Sequence, residues 1–260
     1  MTATPHDSTR ELAERLGATA AVCTVVSTTP LSPSIHEMVL EGNAAVLAGV
    51  AGRDVMVQVT NSSGKLVRRR YSVRSVAPEL DQFTLWVTTA HDGPGSGWVL
   101  GAKPGDEVDV IGPRGKIVLD PDADWHLFVG DVTGLASFYR LCESIEPPGQ
   151  AHFLVVVNHA DDATAATRST DIGGIYREGT FVHRRDRALD DPALLLNGLS
   201  TFHFPPGKGH AYLFGEFHVL KVLRAALLDR GLEEEDINLK SFWRAGRDNA
   251  DHGEPDKRED

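Results

Sequence analysis

Arg68-Arg69-Arg70-Tyr71-Ser72-Val73-Arg74, followed about twenty residues later by Gly93-Pro94-Gly95-Ser96-Gly97-Trp98, is the stretch on which the fold turns. The first segment alternates as a strand does: Arg69, Tyr71 and Val73 share one face, and Arg70, Ser72 and Arg74 point the other way. An arginine beside a tyrosine, with a hydroxyl next door, suits a large, flat, phosphorylated ligand. The guanidinium can fork onto a phosphate, the phenol ring can lie against an aromatic system, and the hydroxyl can bond a ring heteroatom. The second segment is a glycine-rich turn able to bring bare backbone N–H groups to a pyrophosphate. Together they point to a dinucleotide with an aromatic head, flavin first. Arg-x-Tyr-Ser alone is a weak motif, and a barrel strand carrying solvated arginines and a plain turn would read the same way.

Outward from this stretch the chain is β-rich in its first half. Strands are expected at 20–27, 35–41, 54–60, 66–75, 82–89 and 107–111, most of them separated by Gly, Pro, Asn, Asp or Ser. Asn61-Ser62-Ser63-Gly64 reads as a hairpin turn, and a helical turn over 97–102 interrupts the series. Six short strands at this spacing predict a small antiparallel barrel. Residues 1–9 look disordered, with a short helical turn at 10–16.

Beyond Pro121-Asp122-Ala123-Asp124 the rhythm changes. Apolar strands at 126–129, 153–157, 181–183, 212–214 and 237–239 alternate with helices at 135–145, 192–199 and 216–230. Such alternation predicts a parallel, doubly wound sheet. The division is therefore a disordered or short helical N-terminus at 1–18, a β-barrel domain at 19–121, an α/β nucleotide-binding-like domain at 122–247 and a charged, frayed tail at 248–260.

The chain has 260 residues, 41% of them hydrophobic and 24% charged, and a formal net charge of -11. That composition allows one large or two small domains and argues against nucleic acid or an anionic membrane surface as partner. Cys23 and Cys142 lie far apart and outside any Cys-x-x-Cys pair, which speaks against a disulfide framework, a zinc ribbon or an iron–sulfur cluster. The eleven histidines show no helical His-x-x-x-His spacing, so no protein-bound metal is expected. No apolar run reaches membrane-spanning length and the first ten residues are polar, so the expectation is a cytoplasmic protein without membrane insertion.

Two further features carry chemistry. Leu127-Phe128-Val129-Gly130-Asp131-Val132-Thr133-Gly134 is an apolar strand ending in a polar turn that opens a helix, the place where open α/β sheets bind ligands. Asp131 and Thr133 are the candidates there, although the acid would disfavour a phosphate set directly upon it. Tyr212-Leu213-Phe214-Gly215-Glu216 repeats the logic, and in both the acid also serves as an ordinary helix cap. Lys240-Ser241-Phe242-Trp243-Arg244-Ala245-Gly246 sets two aromatics between cations, able to cover a flavin face or simply to pack a domain edge.

In this order (RRRYSVR, GPGSGW, GDEVDVIGPRGK, DWHLFVGDVTGLASF, YLFGE, FWRAG) the motifs resemble the siderophore-interacting protein family, flavin-dependent ferric-siderophore reductases of the ferredoxin-reductase-like superfamily. The resemblance runs over residues 20–246. It implies a six-stranded FAD-binding barrel followed by a domain that receives a nicotinamide nucleotide. Arg69, Tyr71 and Ser72 would take the family's Arg-x-Tyr-Thr, with Arg70 at the variable position and Val73 continuing the strand. Gly93, Pro94, Gly95, Ser96 and Trp98 would take its Gly-Pro-Ala-Ser-x-Trp, with Val87 and Thr89 on the strand before. Phe242, Trp243 and Arg244 would match its Tyr-Trp-Arg. Ser72 is the candidate for a bond to the flavin ring and the nearest to a catalytic residue.

Ferric siderophores are often anionic, and Lys65, Arg68, Arg70, Lys240, Arg244 and Arg247 are candidates for a basic rim that holds one. Two departures stand out. Thr89 occupies the position where the family usually has His. Gly-Asp-Val-Thr-Gly-Leu-Ala replaces the family's Gly-Asp-Glu-Thr-Ala-Leu-Pro in the turn nearest the expected nicotinamide path. FAD is thus the expected cofactor and NAD(P)H the expected donor, with ferredoxin an alternative donor and a monomer the expected state. Another flavin or ferredoxin reductase of the superfamily, or a non-catalytic binder of FAD or a ferric chelate, are the competing readings.

Overall fold

A computed structural model describes residues 5–49, 51–90, 92–163 and 176–246. The chain divides into two compact units, Met1–Val118 and Leu119–Asp260. The first is a closed barrel of β1 (Thr19–Ser32), β2 (Ile35–Glu41), β3 (Asp54–Thr60), β4 (Leu66–Ala77), β5 (Gln82–Thr88) and β6 (Glu107–Arg114), in the order β1-β2-β5-β4-β3-β6. All its pairings are antiparallel. The expected barrel is present. Alternate residues fill its interior: Val55, Val57 and Val59 from β3 meet Val73, Phe83, Leu85, Val87, Val108 and Val110. The β3–β4 hairpin turn is held by Asn61, whose Oδ1 accepts from the Ser63 and Lys65 backbone N–H groups at 3.1 and 2.9 Å, while Gly64 takes φ 77°.

Two short helices, α1 (Pro5–Arg15) and α2 (Ala44–Leu47), and α3 (Pro94–Gly101) complete this unit. Helix α1 corrects the expectation of disorder through residue 9. It packs on β1 and β6, and buried Thr9 donates from Oγ1 to the Asp109 carboxylate at 3.3 Å. Burial of one face against the barrel supplies what so short a polar helix lacks on its own. Helix α3 begins earlier than expected because Pro94 stands in its first turn, where a missing N–H costs nothing.

The second unit is a five-stranded parallel sheet in the order β11-β10-β7-β8-β9. Its strands are β7 (Trp125–Asp131), β8 (Gln150–Val157), β9 (Tyr176–His183), β10 (Gly209–Glu216) and β11 (Ile237–Trp243). Helices α4 (Leu135–Cys142), α5 (Ala193–Thr201) and α6 (Phe217–Asp229) connect them. The chain starts in the middle, runs outward through β8 and β9, and returns to the other side of β7. The order therefore reverses between β7 and β10, and the carboxyl ends of these two strands frame the switch point. Leu127, Val129, Leu154 and Leu213 pack with Leu195, Leu199, Leu220 and Leu223 of α5 and α6. Phe128, Phe153, Tyr212, Phe138 and Phe214 form a ladder of stacked and tilted rings, including pairs at 5.1 Å for Phe128–Tyr212 and 5.2 Å for Phe138–Phe214.

Beta strands β7 and β10 approach so closely at Gly130 that a Cβ there would lie 1.8 Å from the Phe214 carbonyl oxygen. Gly130→Ala should therefore destabilise the second unit by about 3 kcal/mol, because backbone must move. Gly97→Ala, with nothing within 4 Å of its Cβ position, should leave stability within about 1 kcal/mol or raise it. Denaturant midpoints of the two variants check this, and equal midpoints would contradict it.

At the amino edge of the sheet a polar network is buried. The Tyr212 hydroxyl accepts from the Asp120 backbone N–H at 2.8 Å and lies 3.5 Å from His126 Nδ1. His210 sits between Asp120 Oδ2, 3.2 Å from Nδ1, and the Asn238 side-chain amide, 2.7 Å from Nε2. Burial first, then the neighbouring His210, pulls the His126 imidazole down to about 4, against the pull of Asp120. Burial pushes the Asp120 carboxyl up, but bonds from Lys208 and the Asp122 backbone and the charges of His210 and Lys208 outweigh it and hold it at about 2. The unfolded chain thus binds more protons than the native state between about pH 6.5 and 4 at His126, and between about 3.8 and 2 at Asp120. Stability should be full above pH 6.5 and fall on acidification, by about 3 kcal/mol through the His126 window. His126→Phe, ring for ring, should lessen the fall in melting temperature between pH 6.5 and 4, the rest of the slope belonging to His210 and His36, which burial also shifts down; an unchanged slope would count against the assignment.

Candidate functional site

In the barrel, strand β4 presents its motif on two faces for a reason set by pairing. Tyr71 stands opposite Val55 and Ser72 opposite Asp54. Tyr71 and Val73 join the interior cluster, with the Tyr71 ring 5.8 Å from that of Trp98 on α3. The tyrosine hydroxyl comes so near α3 that a Cβ at Gly95 would meet it at 2.3 Å and the Arg69 Cγ at 3.9 Å. Burial raises the Tyr71 phenol above its usual range, with Arg69 opposing, so it stays a neutral hydroxyl at any physiological pH. The Arg69 guanidinium donates to the Arg68 carbonyl at 2.9 Å. Helix α3 opens at Gly93 without a side-chain cap. Arg69, Tyr71, Trp98 and the Gly93-Pro94-Gly95 turn thus gather at one place, and a β-carbon at 95 would require the phenol to shift.

On the opposite face Arg70 is committed elsewhere. It grips Asp54 with two bonds, Nη2 at 2.6 Å and Nε at 3.3 Å, and that carboxylate is wholly buried. Ser72, 6% exposed, lies beside this pair, and the Arg74 guanidinium covers the Trp86 ring at 5.0 Å. Other expected contacts are occupied internally. Val87 is fully buried in the barrel core, so its side chain packs and does not face a ligand. Thr89 donates from its hydroxyl to the Pro33 carbonyl at 3.3 Å and from its N–H to Ser34 at 2.8 Å. The Ser96 hydroxyl turns back to the Thr88 carbonyl at 3.2 Å. Lys65 and Arg68 are exposed at the outer end of β4.

In the second unit, Asp131 closes β7 and collects four donors. Its Oδ1 accepts from the Thr133 N–H at 2.8 Å and the Thr133 hydroxyl at 2.5 Å. Its Oδ2 accepts from the Glu216 N–H at 3.1 Å and the Trp243 indole at 2.9 Å. Thr133 is therefore held by Asp131. Glu216 caps α6, accepting from Val219 N–H at 2.9 Å and from Ala245 N–H at 3.1 Å. Phe242 meets Phe214 edge to face at 5.9 Å, and Arg244 lies 5.0 Å over the Phe217 ring with a 3.2 Å bond to His218.

Lys240 is no part of an exposed rim: it is 2% exposed, its ammonium 5.4 Å from the centre of the Phe242 ring. Lys240 and its neighbour Ser241 are both buried, so the rim expected here does not include Lys240. Arg247 and the tail at 248–260 lie outside the described residues. Asp54 and Arg184 were not singled out from sequence. Asp54 opens an apolar strand, a place where an acid needs a partner. Arg184 follows the end of β9; burial lowers its guanidinium from the usual arginine value, while Asp131 and Asp162 work the other way.

Among the described residues, one group offers metal-ligating atoms together: Asp120, His210 and Asp236, within 4.8 Å of one another. The Lys208 ammonium already lies 2.9 Å from Asp120 and 3.8 Å from Asp236, which puts a cation between the two acids. The barrel residues, by contrast, fit a phosphorylated aromatic group: a cation, two rings and the first turn of a helix that has no side-chain cap.

The family model described as "Siderophore-interacting FAD-binding domain" matches residues 43–117, and that described as "Siderophore-interacting protein" matches residues 123–246. An uncharacterized protein of Mycobacterium tuberculosis is 29% identical over 155 residues, 58% of this chain and 55% of its own length. The NADPH-dependent ferric-chelate reductase of Escherichia coli is 26% identical over 161 residues, 60% of this chain and 58% of its own. The matched part thus spans little more than half the length of these curated relatives. Among solved structures, a siderophore utilization protein from T. fusca superposes with a TM-score of 0.79 at 27% identity, covering 90% of this chain and 96% of that one. With barrel, doubly wound sheet and both family models in sequence order, the chain belongs to the siderophore-interacting protein family, of ferredoxin-reductase-like fold.

Proposed function

We propose that the protein is an FAD-dependent ferric-siderophore reductase that takes electrons from NAD(P)H and delivers them to siderophore-bound Fe(III), releasing Fe(II). The observation that carries this reading is the meeting of Arg69, Tyr71 and Trp98 with the start of α3, which has no side-chain cap, at Gly95. The match to the family's FAD-binding domain and the E. coli relative named as a ferric-chelate reductase support it. Bound FAD supplies hydride uptake from the donor and one-electron delivery to iron.

The chain's own residues bind and orient. Arg69 and the N–H groups of Gly95 and Ser96 serve the phosphates, and Tyr71 and Trp98 offer aromatic faces; Ser72, on the opposite face beside the Arg70–Asp54 pair, is not assigned to the flavin. Arg70 holds the buried Asp54 and so fixes the strand from behind. Lys65 and Arg68 on the barrel, and Arg244 on the second unit, are candidates to attract an anionic ferric siderophore. The iron is substrate and leaves with its chelator. We place the protein in the cytoplasm, acting as a monomer; no helix among the described residues is long and apolar enough to cross a membrane. Ferredoxin as donor is the second reading, favoured by one observation: the Asp131 carboxylate takes up the donor groups at the switch point that a nucleotide phosphate would otherwise use.

Purified protein should show flavin absorption, alone or after FAD addition, bleach anaerobically with NADH or NADPH, and recolour with ferric siderophore. A protein that takes up no flavin would defeat the proposal. Arg69→Ala should weaken FAD retention by about 1.5–3 kcal/mol with the apoprotein's melting temperature unchanged. Arg70→Ala should do the reverse, lowering the apoprotein's stability by about 3 kcal/mol because Asp54 loses its partner inside the protein. FAD titrations and melts of the two variants separate the roles.

A further inference from the structure

A cavity of about 300 Å³ lies in the second unit, on the sheet face that α5 covers. Its floor is Leu127 of β7 with His152 and Leu154 of β8, each 5% exposed or less. His152 pairs with Leu127 in register, and two residues on Leu154 returns to the same face, opposite Thr180 of β9. The wall is the last turn of α5 and the segment that leaves it. Gly198 lets the helix come close to β8, since a Cβ there would lie 2.5 Å from Leu154 Cδ1. The helix stops at Thr201, and the chain departs through Phe202 in extended conformation, its ring edge to face with His152 at 5.1 Å. Space is left beneath the helix end, with the exposed Thr180, Thr201 and His203 at its mouth. Among the described residues that line it, none belongs to β4, to α3 or to the switch point.

We infer that this cavity is a second binding site, for a neutral, hydroxylated aromatic ring, with His152 and Thr201 as its polar partners. The lining selects this chemistry by exclusion as well as by fit. No Asp, Glu, Lys or Arg lines the cavity, so an ammonium ion finds no carboxylate there. An anion meets the carbonyl end of α5, the negative end of its dipole, and the nearby Arg230 guanidinium already donates to the Leu199 and Phe202 carbonyls. A saturated ligand without polar groups would cover imidazole and hydroxyl groups and give them nothing in return. A phenol answers each demand. Its ring lies against Leu127, Leu154 and Phe202, and its O–H donates to an imidazole nitrogen. The Thr201 hydroxyl donates to the Gly198 carbonyl at 3.0 Å, which leaves its oxygen as an acceptor for a second hydroxyl on the same ring.

Calorimetric titration of catechol into the full-length protein, with and without FAD, tests this, with benzoate and cyclohexanol as the charged and the saturated comparisons. Catechol should bind at about 1 mM, as so small a ligand allows, and should raise the melting temperature. Equal affinity in both forms sets the cavity apart from the flavin site. Benzoate and cyclohexanol should each bind about tenfold more weakly. His152→Phe, ring for ring, should weaken catechol about tenfold and leave FAD uptake unchanged. Thr201→Val, at an exposed position, should weaken it about threefold and keeps the question answerable if the first variant does not fold. No binding at about 10 mM catechol, benzoate bound as well as catechol, binding only where FAD is missing, or affinity untouched in both variants would overturn the inference. None of these readouts passes through flavin reduction, so they stand whatever donor and acceptor the protein uses.

Discussion

The Asp131 carboxylate is the point on which the second unit depends. A charged group half enclosed by the ends of three strands has to be met by donors, and it is, four times over. Meeting it sets the positions of the Thr133 turn, the entry to α6 and the Trp243 ring at once. It also explains the glycines around it. Gly130 lets β7 lie against the Phe214 carbonyl, and Gly215 yields its side-chain space to the carboxylate itself. Replacing the acid would release more than one bond, since each donor belongs to a different element.

The barrel solves a similar problem with a pair. Asp54 is wholly buried, and Arg70 reaches it from the neighbouring strand with a two-bond grip. That pairing separates the three consecutive arginines by role. Arg68 is exposed, Arg69 lies beside the phenol and the glycine turn of α3, and Arg70 belongs to the scaffold. A ligand that needs a cation, an aromatic face and helix N–H groups finds all three on one side of β4 because strand geometry sends the structural arginine to the other.

The two units thus bring unlike equipment to the proposed reaction. The barrel gathers groups suited to phosphate and ring on the side of α3. At its switch point the parallel sheet satisfies its donors from within, through Asp131 and Glu216. Electron transfer to a ferric chelate asks for a firmly held flavin and a donor that comes and goes, and the difference between the units accords with that demand.

Much of this was legible from the order of residues. Period-two alternation broken by turn residues marks the six barrel strands, and apolar runs alternating with amphipathic helices mark the parallel sheet. Arg69-Arg70-Tyr71-Ser72 and Gly93-Pro94-Gly95 suggest a phosphorylated aromatic ligand by residue type, a reading sharpened by the order of the motifs after them. Local pattern reports such things because backbone geometry and side-chain chemistry are local. It does not report who meets whom across the fold. Lys240 reads as a surface cation and is buried; Arg70 reads as part of a basic rim and grips Asp54, sixteen residues away in sequence; Thr89 and Ser96 spend their hydroxyls on carbonyls nearby in space. The indole of Trp243 finds Asp131 across 112 residues. Composition and periodicity thus determine the two-part architecture and the flavin-like character of β4. Only the tertiary structure decides which polar groups remain for a ligand, because hydrogen-bond capacity is finite and long-range pairing consumes it first.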